Sequence, residues 1–546
     1  MVLAGEINFG ALSLEEFVHA GAQPGGDGET AVSVFGEENS KLEDLHNSIV
    51  ACDEVLKSVE IYLTSFQSDL AAVSSEIEHL QNRSNTLNNK LQNRRTVEQY
   101  LRPEVEALAI SPVLIRKITE GTVDEGWVKA LDELEKKSNA VDDRAKAGQD
   151  VKAAQDLKPF LDDVSTKAVE RIRDYVVAQI KALRSPNVNA QVVQQNSFLR
   201  YRGVFAFLAT REPQLAEDMS KAYTNTMRWY YASHFTRYRA ALEKMSIYSV
   251  DQTDTIGTDP ATKRAAKPGA SHDAFALGRR ADVLRGSEDI ALLSYIAEED
   301  RSMHYLEAPF RAFNLALVDN LSAEFSFLTD FFPRQTFHAT IGKFNEIFGS
   351  TFELGRALTK QLIETSFDAL GVLICVRLTQ HLAFELQRRK VPAGEGYLNA
   401  TNMLLWPRFQ QIIDAHCESV RKSTAALPGK PAGSALSLTG SSASAPSTAP
   451  HALTQRFANF VQGILALNSE AGDDEPVSHS LGRLRADFEA FLVKLSKGIA
   501  EARKRERFLY NNYSLICTII AETEGKLAEE LKRHFMELRD AVDADG

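Results

Sequence analysis

A strict seven-residue repeat limits what a chain can fold into, and this chain holds one from Leu42 to Leu91. With Leu42 at position a, the a column reads Leu42, Ile49, Leu56, Leu63, Leu70, Ile77, Ser84 and Leu91. The d column reads Leu45, Cys52, Val59, Phe66, Val73, Leu80 and Leu87. Only Ser84 breaks the apolar seam. A straight α-helix drifts against a seven-residue repeat, so a repeat held this long implies supercoiling on another helix. Such a helix is roughly 75 Å long, wider than any domain the chain could fold. A rod with one apolar stripe needs something to cover it. We read the apolar a and d residues, Cys52 aside, as a surface that binds helices of other chains. A hairpin with a later helix of the same chain is the alternative.

The 546 residues are enough for several domains at about 100–200 residues each. A hydrophobic share of 44% can build real cores, and 25% charged residues is ordinary for a soluble protein. A net charge of -12 argues against a dedicated nucleic-acid binder. Four scattered cysteines, Cys52, Cys375, Cys417 and Cys517, have neither disulfide-framework nor zinc-site spacing. The opening Met1-Val-Leu-Ala-Gly-Glu6 has no basic stretch of the kind a signal peptide carries. The longest apolar run, Ala369–Val376, falls far short of the ~20 residues of a membrane helix. These features are read as a cytosolic protein whose membrane contact is peripheral or made through partners.

Residues 1–40 read as a flexible tail with a short helix at Ser13–Ala20, and 41–140 as the coiled-coil region with two folded-back short helices at its end. The first short helix has its punctuation written out: Ser111 as N-cap, Pro112 at N1 and Gly121 for a left-handed C′ position. Asp124 caps the second, whose Trp127, Val128, Leu131 and Leu134 share a stripe, with Trp127 as the buried anchor. Next comes a helical bundle at 154–250. Its first long helix turns Ala168, Ile172, Val176, Ile180 and Leu183 inward and stops at Ser185-Pro186. A later helix carries Tyr223, Met227, Tyr230, Tyr231, His234, Phe235 and Tyr238 between Arg228, Arg237 and Arg239. Aromatics between arginines can stack on bases, but a stripe at helical spacing reads as core. Residues 251–288 read as a mobile loop whose basic half, Lys263–Arg280, is solvated. A second bundle spans 289–421, rich in phenylalanine, with a helix from Phe367 to about Arg388 that is apolar nearly all round and so central. The Ser/Ala/Pro/Gly stretch 422–453 is a low-complexity linker, and 454–546 are C-terminal helices. There a basic cluster, Arg503, Lys504, Arg505 and Arg507, reads as a solvated face. The fold class is all-α: an N-terminal coiled-coil rod followed by consecutive helical bundles.

Catalytic constellations are missing from the sequence. It contains no H-E-x-x-H, G-x-S-x-G, Walker lysine, dinucleotide-binding glycine fingerprint or kinase set, and no residues that call for a cofactor or metal. A non-enzymatic assembly protein is the reading that remains.

The passage from Leu108 through Ser111-Pro112 and Gly126-Trp127 to Leu131 resembles the vacuolar protein sorting-associated protein 52 family. Lys181-Ala-Leu-Arg-Ser-Pro186, Trp229-Tyr-Tyr231, Leu404-Leu-Trp-Pro-Arg-Phe409 and Asn511-Asn-Tyr513 succeed it in the family's order. The resemblance covers roughly residues 42–520. It implies a helical-rod subunit of the Golgi-associated retrograde protein tethering complex, acting in endosome-to-trans-Golgi transport. It also implies coiled-coil pairing with sister subunits, SNARE and Rab-type GTPase partners, and peripheral residence at trans-Golgi and endosomal membranes. In animals it implies sharing with an endosomal recycling complex. A generic coiled-coil scaffold, or a subunit of another tether such as exocyst, is the competing reading. The family continues with further helices after the Asn511-Asn-Tyr513 landmark, where this chain ends about thirty residues later. A segment of linker composition cannot offset its own ordering entropy. Deleting 426–450 is therefore expected to leave helicity by circular dichroism, assembly and trafficking unchanged.

Overall fold

The computed structural model describes residues 34–146, 152–185, 188–258, 273–285, 290–332, 336–427, 448–469 and 476–544. The expected helix at 13–20, the centre of the linker and Pro186 lie outside these residues. The described residues are all-α apart from one parallel ladder of two residues a side, Ser246–Ile247 with Met303–His304. The chain divides after Ala107 into two units.

The first unit is carried by α1, Val34–Leu108, a single helix of 75 residues and so roughly 110 Å long. It starts before Leu42, inside the segment expected to be flexible, and continues well past Leu91. Beyond the last full heptad Gln92, Arg94, Arg95, Glu98 and Gln99 are good helix formers, and Arg102 pairs with Glu106 one turn on at 2.9 Å. Pro103, with no N–H to bond backwards, comes shortly before the helix gives out.

The second unit opens with the two short helices, α2 (Pro112–Glu120) and α3 (Glu125–Lys146). The Ser111 hydroxyl accepts from the Val113 amide at 3.3 Å, and the Asp124 carboxylate accepts from the Trp127 amide at 2.6 Å. Trp127 is fully buried, and its indole N–H donates to the Ile118 carbonyl at 3.3 Å. Gly121 departs from the expected left-handed cap: its φ of -66° and ψ of 155° are extended. A side chain there would run into the Lys117 carbonyl, and Arg171 donates to the Thr119 and Gly121 carbonyls, so close approach accounts for the glycine. Both short helices lie on α4 (Lys152–Ala182), and α3 also meets α5 (Arg202–Arg211), so they group with the helices downstream of them. Ala168, Ile172, Val176 and Ile180 on the inward face of α4, and Leu183 just past its end, are all buried.

The aromatic stripe of α6 (Pro213–Leu242) is core: Tyr223, Met227, Tyr231 and Phe235 are buried, while Arg228 and Arg237 face solvent. After the six-residue α7 (Ser294–Glu299), α8 (Glu307–Phe331) brings its phenylalanines against them. Phe327 stacks on Phe331 at 5.1 Å and meets Tyr223 at 5.2 Å. One carboxylate sits in this greasy layer. Glu324 is fully buried and accepts from the Tyr223 hydroxyl at 2.7 Å, the Tyr231 hydroxyl at 3.0 Å and the Gln194 amide at 2.7 Å. Gln194 opens a π-helical turn, Gln194–Phe198, a local irregularity that carries Gln194 and Phe198 into the same core.

α9 (Phe337–Glu364) packs on α6, and α10 (Ala369–Arg388) lies among α8, α11 (Glu395–Ala426) and α12 (Ala452–Leu467). α10 is long and apolar enough to cross a membrane by length and composition, yet 67% of that stretch is covered by neighbouring helices. The last helices, α13 (Pro476–Ser496), α14 (Ala502–Ile520) and α15 (Lys526–Ala544), complete its surroundings on α11 and α12. Phe457 and Phe488 stack there at 4.1 Å.

Part of the 251–288 segment is built into this core rather than solvated. Arg280 is buried between two carboxylates that are themselves buried, Glu307 at 2.8 Å and Asp368 at 2.6 Å, and lies 4.0 Å over the Tyr305 ring. Burial alone would lower its pKa, but Asp368 and Glu307 outweigh burial and hold the guanidinium charged. Upstream, Ile256 donates its amide to the buried His416 ring at 3.2 Å. Gly257 lies so close to the Ser419 backbone that no side chain fits, and the Ser423 hydroxyl donates to its carbonyl at 2.6 Å. A basic residue in a loop looked solvated because its acidic partners stand 27 and 88 residues away.

Burial pushes the Glu324 carboxyl above its usual range, so the folded chain holds this proton to higher pH than the unfolded chain does. Its contribution to stability is therefore fully present below about pH 4.5 and is lost as pH rises through the raised value. In urea unfolding, wild type is expected to lose stability relative to Glu324→Gln as pH rises above about 4.5. Glu324→Leu, which strands two hydroxyls and an amide, is expected to cost about 3 kcal/mol.

Candidate functional site

Heptad residues that bury nothing are the feature of this chain that calls for a function. α1 carries Leu56, Val59, Leu63, Phe66, Leu70, Val73, Ile77, Leu80, Leu87 and Leu91 on one continuous helix, from 45% exposed at Val59 to 60% at Leu56, Phe66 and Leu80. Leu42, Leu45 and Ile49 lie on the same helix; their side chains are outside the described residues. Cys52, in the d column, is an exposed free thiol. By contrast, Leu114, Ile118 and Trp127, just beyond α1, are essentially buried.

Further apolar residues widen the site beyond the a and d columns. Val55 and Tyr62 stand in the neighbouring g column and Ile61 in f, 60% to 73% exposed. Beyond Leu91 the seam lapses at Arg94 and Glu98 and then resumes with Leu101 and Val105 in columns d and a. Counting g positions, and carrying the register past one polar heptad, would have found both features. A stripe limited to a and d matches one facing helix, whereas an a, d and g face matches a multi-helix bundle.

The remaining concavities of the described residues hold no comparable arrangement. A cleft of about 270 Å³ lies over Tyr230, His234, Tyr238, Leu292 and Asn320, where burial and then Arg237 lower the His234 pKa. The Tyr238 hydroxyl there is taken up by the Leu292 carbonyl at 2.6 Å. A second cleft gathers Arg503, Lys504 and Arg507 with Glu501, Glu506 and Tyr510, and Lys504 pairs with Glu501 at 2.7 Å. No group of three or more His, Cys, Asp or Glu side chains among the described residues could hold a metal ion.

An all-α chain with a long helix whose apolar seam is unfilled belongs to the class of coiled-coil assembly proteins. Two family models match it: "Vps52/Sac2 family, coiled-coil" over residues 35–208 and "Vps52, C-terminal" over residues 225–544. The chain belongs to the Vps52 family. It is 30% identical over 513 residues to vacuolar protein sorting-associated protein 52 A of Arabidopsis thaliana, covering 93% of this chain and 69% of that one. The protein of the same family name from Schizosaccharomyces pombe is 30% identical over 514 residues, covering 92% and 96%. The Homo sapiens homolog is 29% identical over 518 residues, covering 92% and 68%. The Saccharomyces cerevisiae exocyst component Exo70p has a TM-score of 0.41 and 9% identity over 78% of this chain and 80% of its own, too slight a likeness to carry an argument.

Proposed function

We propose that this chain is a non-catalytic subunit of a multisubunit tethering complex for endosome-to-trans-Golgi retrograde transport, and that α1 is its assembly surface. The observation that carries the reading is the exposed seam of α1 in a member of a family named for vacuolar protein sorting. Covering the exposed half of each large seam residue removes apolar surface worth on the order of 1 kcal/mol per side chain. Ten such residues are enough to hold an assembly. The g-column residues Val55 and Tyr62 favour more than one partner helix, which suits sister subunits that contribute one helix each.

The second unit then serves as the part that reaches other components, with a SNARE and a Rab-type GTPase as partners and membrane contact made through them. The chain acts peripherally at trans-Golgi and endosomal membranes, and it works by holding membranes near each other rather than by turning over a substrate.

Leu63→Asp combined with Leu70→Asp puts two charges into a seam that must be dry, at a cost of several kcal/mol. Co-purification of sister subunits is expected to fall to background, while the thermal midpoint of the second unit stays put. Wild-type recovery of those subunits would remove α1 as the assembly surface. In cells lacking the chain, receptors that return to the Golgi are expected to be missorted toward the vacuole or lysosome. Normal receptor retrieval, read by microscopy and cell fractionation, would end the tethering assignment.

A further inference from the structure

A cleft of about 400 Å³ in the second unit is lined by Arg503, Lys504, Arg507 and Tyr510 of α14, with Glu501, Glu506 and Thr448. Lys504 is taken up by Glu501 at 2.7 Å. Arg503 and Arg507 make no ion pair within the described residues, and Arg507 only lies 5.8 Å over the Tyr510 ring. Both arginines are exposed. They stand in the first two turns of α14, where the helix dipole opposes cations, so the helix itself does not call for them. Side chains four residues apart share a helix face. Two guanidinium forks on one face suit an anion with several oxygens.

The same face of α14 fixes Thr448. Asn511, one turn beyond Arg507, donates its side-chain amide to the Thr448 carbonyl at 2.7 Å. Its neighbour Asn512 accepts from the His451 amide at 2.9 Å and from the Thr454 hydroxyl. The two asparagines thereby set the main chain of 448–454 on α14, just where the sequence leaves the Ser/Ala/Pro/Gly stretch. Thr448 is half-buried, and Ala449 and Pro450 after it are exposed. The Thr448 hydroxyl makes no hydrogen bond within the described residues. A free hydroxyl is thus held on the wall of a cleft whose two arginines have no anion.

We propose that Thr448 is a phosphorylation site whose phosphate is held within the chain by Arg503 and Arg507. A serine/threonine protein kinase would join Thr448 Oγ1 to the γ-phosphorus of ATP, with ADP leaving and the hydroxyl proton released. The product carries about -1.5 to -2 charges and three acceptor oxygens, enough for a fork from each arginine. Because the phosphate hangs from the wall of the cleft, it meets the arginines at an effective concentration that a free anion does not reach. Glu506 is the one carboxylate lining the cleft that no cation takes up among the described residues, and it opposes the phosphate. The modification removes an exposed cationic face and fastens the end of the low-complexity stretch to α14. It is independent of the reading of α1.

The test uses the full chain with phosphothreonine placed at position 448 by stop-codon suppression. The second ionisation of such a phosphate lies at about pH 6, and neighbouring cations favour the dianion. Followed by phosphorus NMR, its midpoint is expected to fall by about one unit in the otherwise wild-type chain. Arg503→Gln with Arg507→Gln is expected to return it to about 6, and Glu506→Gln to lower it further. Hydrogen exchange at the Ala449 and His451 amides is expected to slow about tenfold on phosphorylation, and not in the double Gln variant. A midpoint that stays at about 6, or that falls equally without the arginines, overturns the proposal. In the chain isolated from its own cells under phosphatase inhibition, mass spectrometry is expected to find phosphate on Thr448, and its absence there overturns the site. Unmodified chain is also mixed with inorganic phosphate, and with phosphatidylcholine vesicles carrying phosphatidylinositol phosphate, and is expected to bind neither. Vesicle binding that the double Gln variant abolishes makes the ligand a lipid headgroup. Saturable binding of inorganic phosphate alone, lost in the same variant, makes it a free anion. Either result overturns the assignment to Thr448.

Discussion

A helix that is apolar on every side has to be enclosed, and in the second unit that helix is α10. Leu370, Val372, Leu373, Ile374, Cys375 and Val376 are each wholly buried, so neighbours are required all round the helix, not on one face. Its N-terminus is buried as well, and the unpaired amides there need an acceptor. Asp368 supplies it, accepting from the Gly371 amide at 2.9 Å. A buried carboxylate in turn requires a cation, and Arg280 provides it while also binding Glu307 at the start of α8. Enclosing one apolar helix thus ties together the loop before α7, the N-terminus of α8 and the helices on either side of the low-complexity segment.

α1 presents the same requirement unsatisfied. Its apolar residues are confined to a stripe with a broader stretch around Val55 and Tyr62, and that stripe is in water. The second unit buries most of its large apolar residues in its own cores, with Trp229, Phe384 and Met403 among those left exposed, whereas the seam residues of α1 from Leu56 to Leu91 are all exposed. Membership of a family of vacuolar protein sorting proteins gives that exposed seam a setting.

Much of the architecture was legible because its causes are local. The seam of α1, the caps at Ser111 and Asp124, the burial of Trp127, the stripe of α6 and the centrality of α10 all stem from spacing and residue type within a turn or two. The limits of α1 were not, since helix formers without a heptad pattern continue a helix as readily as they end it. Gly121 misled for a different reason. Glycine after a helix marks either a left-handed cap or a close approach, and a carbonyl and an arginine 50 residues away decide which.

The sequence by itself determined that the chain is helical, that one helix carries a long apolar stripe, and which a and d residues line it from Leu42 to Leu91. These are one-dimensional properties, written in periodicity. Only the tertiary structure decided that Arg280 and Glu324 are interior residues. Their neighbours converge from elements far apart in the chain: Glu307 and Asp368 on one, Gln194, Tyr223 and Tyr231 on the other. A buried charge is tolerated only where such partners meet it, and no local pattern in the sequence records that meeting.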